Sequence, residues 1–75
     1  MSINEMISSL RKVDNEAVTI VLDRFESDRE NTEAWSDIDK KQSEGYRRDA
    51  LALVPVMRRL YNCYVDPDHK WYPGL

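Results

Sequence analysis

The stretch Tyr46–Val65, YRRDALALVPVMRRLYNCYV, decides the fold. Tyr46, Ala50, Leu53, Met57, Leu60, Tyr61 and Tyr64 recur at helical spacing and share one face. Pro55 falls at about 200° from Leu53 on a helical wheel. Proline removes one N–H and frees the carbonyl four residues back, here that of Leu51. On an outer face water satisfies that carbonyl, so the pattern predicts a long helix that bends around its core. Leu51, Ala52, Val54, Val56 and Cys63 widen the apolar arc beyond the central stripe. Two short helices cannot cover so wide an arc, which points to a bound partner helix or to self-association.

Working toward the N-terminus, SINEMISSLRKV carries a capping box, Ser2-x-x-Glu5. Ile3, Met6, Ile7, Leu10 and Val13 follow as one stripe, and Arg11 and Lys12 suit a helix C-terminus. A helix over 2–12 is expected. Asp14 is a good N-cap for a second helix over NEAVTIVLDRFESD, residues 15–28, with Ala17, Val18, Val21, Leu22 and Phe25 inward. Ile20 points about 160° away from that stripe, as a lone exposed residue or a seat for a partner. The segment 26–45 is polar, with Trp35 and Ile38 as its only large apolar side chains. Ser27, Thr32 and Ser36 are each candidate N-caps. A loop near 27–32 is expected, followed either by an early extension of the third helix or by a short separate helix. Gly45 would cost a helix running through it about 1 kcal/mol.

These elements describe a single all-α domain over 1–75, a small bundle of three helices or four. The bundle occupies 1–65, and 66–75 forms a turn-rich aromatic tail that packs back on it. In that tail Asp66-Pro67 stops the long helix, and Trp71 and Tyr72 either clasp the core or hook a partner. A chain of 75 residues buries little more than ~60% of its unfolded surface, so each large side chain matters.

Chemistry is sparse. The chain contains no glycine-rich phosphate loop, HExxH, CxxC or G-x-S-x-G. His69 lies between Asp66 and Asp68, but a metal site needs three or four ligands on a fixed scaffold, and these sit among turn residues. No metal, cofactor or catalytic residue is expected, and the chain does not read as an enzyme. The single cysteine, Cys63, excludes an internal disulfide and reads as an inert core filler in a reducing compartment. The opening residues lack the basic and apolar regions of a secretory signal, and no apolar run approaches ~20 residues. A cytoplasmic protein without membrane association is expected.

Charge is unevenly divided. Residues 14–44 hold ten acidic and four basic side chains, a net of −6. Residues 45–64 hold Arg47, Arg48, Arg58 and Arg59 against Asp49 alone, a net of +3. The arginine pairs lie about 16 Å apart along the helix. Either the acidic segment neutralises them, or they dock on an acidic protein or phosphates. The overall charge of −3 argues against strong DNA binding by this chain alone. Asp49 flanks the apolar arc and calls for a cation, from an arginine of the same chain or from a partner.

Leu10-Arg11-Lys12 followed by a second amphipathic helix, together with Asp49, Met57, Arg59, Leu60, Tyr61 and Asn62, resembles the Hha/YmoA family of small helical nucleoid-associated modulators. That family carries Asp, then Met, Lys, Leu, Tyr and Asp on its long third helix, and its terminal Pro-Ser-x-Trp is similar to the closing proline and Trp71. The chain departs from it at Pro55, at Asp49-Ala50-Leu51 where the family has Asp-His-Arg, and across the longer, more acidic 26–44. The resemblance implies that Asp49 and the arginine surface contact the nucleoid protein H-NS and nearby DNA.

The expected function is therefore binding: a small regulator or inhibitor of a host protein, of the kind phages and mobile elements encode. Its candidate contact residues are Arg47, Arg48, Asp49, Arg58, Arg59, Trp71 and Tyr72. An Hha-like modulator and a structural homo-oligomer, most simply a homodimer, are the alternatives.

Overall fold

In a computed structural model that describes residues 2–66, the chain forms three α-helices. They are α1 (Ile3–Arg11), α2 (Glu16–Trp35) and α3 (Lys40–Tyr64). No strand occurs among the described residues. The expected tail packing, with Trp71 and Tyr72, lies outside the described residues, as does His69.

Local chemistry sets each boundary. The Ser2 hydroxyl accepts from the Glu5 N–H at 3.1 Å and donates to the Glu5 carboxylate at 3.2 Å, so the capping residues meet as expected. The N-cap of α2 is Asn15, not the expected Asp14. The Asn15 side-chain oxygen accepts from Ala17 N–H at 2.9 Å and Val18 N–H at 3.3 Å. Half-buried Val13 packs against the core and sets this one-residue offset.

The expected loop at 27–32 is absent, because α2 continues to Trp35. Neither Ser27 nor Thr32 caps a helix start. The Thr32 hydroxyl donates back to the Asp28 carbonyl at 2.7 Å, a bond available inside a helix. Ser36 closes α2 rather than opening a helix, with its hydroxyl on the Glu33 carbonyl at 2.8 Å. Asp39 then caps α3, accepting from Lys41 N–H at 3.0 Å and Gln42 N–H at 3.4 Å. Residues 33–45 are thus divided between the end of α2 and the start of α3, and Gly45 lies within α3.

Three cross-links give the register. Ser43 donates to the Thr32 carbonyl at 2.7 Å, Arg24 pairs with Asp49, and Asn15 donates to the Tyr64 hydroxyl at 3.3 Å. As numbers fall along α2 they rise along α3, so the two helices are antiparallel. α1 runs antiparallel to α2, with Arg11 on Asp23 and Glu26 at one end and Asn4 accepting from Arg29 at the other. Met6, Ile7 and Leu10 thereby enter the seam between Val18, Leu22 and Phe25 of α2 and Ala50, Val54, Met57 and Tyr61 of α3.

Pro55 sits inside α3 on an exposed position, as its wheel angle required. Cys63 is exposed, which corrects its reading as a core filler. It stands about 200° around the helix from buried Tyr61, on the side no other helix covers.

Leu10 and Met57 have no exposed surface. Truncating either to alanine should lower unfolding free energy by about 2–5 kcal/mol in urea titrations. Ile20→Ala, on the exposed side of α2, should change it by less than about 0.5 kcal/mol. A Cβ at Gly45 would meet nothing within 4 Å. Gly45→Ala should therefore raise stability by about 1 kcal/mol in the same assay.

Candidate functional site

α1 is nine residues long, whereas α2 and α3 have 20 and 25. At 1.5 Å per residue it spans about 13 Å of a seam more than twice that length. Where it ends, at Ser2–Asn4, the seam continues as an open groove of about 640 Å³. Phe25, Ala50, Leu51 and Val54 supply its apolar surface, and Arg29, Glu33 and Arg47 its charged groups. The Arg29 guanidinium is held 5.5 Å from the Phe25 ring centre and donates to Asn4 at 3.1 Å. Leu51 is 58% exposed here, and Ile3 joins it as an exposed apolar residue.

The opposite flank of the α2–α3 seam is polar. Arg24, Asp28, Gln42, Gly45, Tyr46 and Asp49 line a cleft of about 300 Å³. Arg24 donates to both Asp49 oxygens at 2.8 Å, the planar two-point geometry guanidinium favours. The cation that Asp49 calls for thus comes from its own chain. This contact raises the Arg24 pKa and depresses that of Asp49, first through the hydrogen bond to Arg24 and then through one to Asp28. The pair is largely exposed, so it fixes register more than it adds stability.

Asp28 is the unexpected member. It is only 7% exposed, and its buried Oδ2 finds no donor among the described residues. Burial pushes its carboxyl up to about 6, aided by the hydrogen bond to Asp49 and by that group's negative charge, while Arg24 opposes the shift. Asp28 continues the spacing of Val21 and Phe25, and Thr32 follows it, so an unbroken helix would have marked it as facing inward. Reading 27–32 as a loop hid that signal.

Of the expected contact residues, Arg47 lines the apolar groove and Asp49 the polar cleft. Arg58 shares the groove-side flank of α3 with Arg47, Leu51 and Val54 on a helical wheel, whereas Arg48 and Arg59 face outward beside Pro55. None of these four arginines reaches a carboxylate within ion-pair distance among the described residues, whereas Arg11 and Arg24 do. The acidic segment therefore does not pair with them. Trp71 and Tyr72 lie outside the described residues. Sequence patterning placed Ile3 and Phe25 on inner stripes and Leu51 on the over-wide arc of α3, but it could not show that they meet in a groove, which exists only where α1 stops.

Among the described residues no three His, Cys, Asp or Glu side chains come together as metal ligands. No helix among them is long and apolar enough to cross a membrane. Comparisons with protein-family models, with curated proteins and with solved structures found no match.

Asp28 gives the fold a pH dependence of definite sign. The folded chain keeps the Asp28 proton to about pH 6, whereas an unshifted carboxyl loses it near 3.8. The folded state binds the extra proton between those values, so stability falls as pH rises through that window. Asp49 acts oppositely: its contribution is present above the ordinary carboxylate range and is lost as pH falls through its depressed value. Urea titrations should place maximum stability at about pH 4, between the two transitions. Asp28→Asn should flatten the fall toward neutrality and stabilise the protein at pH 7.5 by about 1–3 kcal/mol.

Proposed function

We propose that this protein is a small, non-enzymatic protein-interaction module that regulates or inhibits its target by docking. One observation carries this reading: the open groove between α2 and α3, apolar along Phe25, Ala50, Leu51 and Val54 and flanked by Arg29 and Arg47. A small helical domain gains stability by covering such surface, yet here the covering helix stops short. Leu51 and Ile3, left exposed over a floor of core side chains and beside Arg47, which makes no ion pair among the described residues, suit an amphipathic segment of a binding partner.

The charge split supports the same reading. Arg47 and Arg58, which make no ion pair among the described residues, can receive acidic groups on the groove side. Asp49 is less available, since both of its oxygens are already bound by Arg24. A partner's cation at Asp49 would first have to displace that guanidinium. Regulation of a host protein, in the manner of phage or mobile-element products, is the corresponding biological role.

Site-specific photo-crosslinking tests the proposal. A benzophenone amino acid at position 51 should give a protein adduct in cells that make the protein. The same group at exposed position 20 should give none. Absence of adducts at 51, or equal adducts at both positions, would remove the groove as a docking site.

A further inference from the structure

The groove's chemistry is matched by another feature of the same molecule. Asp37-Ile38-Asp39 turns the chain between α2 and α3. Ile38 is 74% exposed, the most exposed of the large apolar residues described. Its neighbours are both acidic. Asp37 makes no ion pair among the described residues, and Asp39 is engaged only as the α3 N-cap. An isolated exposed isoleucine is ordinary. This one sits between carboxylates at the tip of a rigid helical hairpin, two residues beyond Ser36, which itself lines the groove.

We propose that the groove's occupant is a second copy of this chain, whose Ile38 packs on the exposed Leu51 while Asp37 meets Arg47. The inference rests on the docking role assigned to the groove above. A two-fold axis that brings Ile38 of one copy onto Leu51 of the other makes the second contact by symmetry and closes the assembly as a dimer. The turn supplies an apolar anchor with negative flanks, and the groove supplies an apolar floor with Arg29 and Arg47 beside it. Glu33 is the one opposing charge along the lining. The same pairing covers Ile38 and Leu51, and Ile3 at the groove's edge, three of the six large apolar residues exposed among the described residues. One turn and one groove per copy make a small interface, at the low end of specific contacts, so a concentration-dependent dimer is expected.

Sedimentation equilibrium on the full chain decides this. Wild-type protein should rise from 8.9 kDa toward twice that mass as concentration increases into the hundreds of micromolar. Ile38→Ser should weaken association at least tenfold. Asp37→Lys and Arg47→Glu should each be monomeric, because each homodimer would face like charges twice. An equimolar mixture of those two variants should associate again, since both contacts then pair opposite charges. All three sites are exposed or on the groove surface, and unchanged circular dichroism melts would verify folding. A wild-type monomer throughout the range overturns the inference, as does a dimer indifferent to these variants or a mixture that stays monomeric. A monomer that dimerises only after removal of 67–75 also overturns it, and assigns the groove to that segment. If position 51 crosslinks only to a different protein while the wild type stays monomeric, the self-pairing falls and the docking module stands.

Discussion

Nine residues of α1 have to close a hairpin whose arms are 20 and 25 residues long. The rest of the structure follows from that mismatch. Met6, Ile7 and Leu10 fill the seam toward the chain termini of the hairpin, where the dry core forms. Toward the turn no described residue replaces them. There the two long helices hold each other by polar contacts, with Ser43 on the Thr32 carbonyl and Arg24 on Asp49. The same shortfall leaves one flank of the seam open and apolar.

The polar end is held by groups that constrain one another. Asp49 is a good partner for Arg24 because guanidinium meets both its oxygens. Asp28, one turn along α2 from Arg24, occupies a position that burial would otherwise reserve for an apolar side chain. Two carboxylates beside a single arginine resist ionising together, so as pH falls the buried one takes up a proton first, at about pH 6. Register at this end is held by Arg24 on Asp49 and Ser43 on the Thr32 carbonyl.

How much of this was legible beforehand depended on whether the deciding contacts were local. The stripe of α3, the capping box of α1 and the inward face of α2 as far as Phe25 all follow from 3.6-residue spacing. Most of these residues face inward where periodicity placed them, but Ile3, Ala17 and Tyr64 at the helix ends are exposed and Val54 is buried in their stead. The stretch 27–39 was misread because its propensities are weak and its serines and threonine fit caps as well as helix interiors. Antiparallel packing against α3 carries α2 on to Trp35. Cys63 was misplaced for a related reason. An apolar arc wider than its covering helices must expose something, and composition does not say which edge is left bare.

The sequence by itself therefore determined helical class, the outward position of Pro55, the need of Asp49 for a cation and the division of charge along the chain. Each depends on residue type and spacing within one helix. Only the tertiary structure decided that Arg24 supplies that cation, that Asp28 is buried and unpaired, and that four arginines of α3 reach no described carboxylate. It also decided where the apolar groove opens. Those depend on the relative register and lengths of three helices, and register is fixed by contacts between residues as far apart as Asn15 and Tyr64.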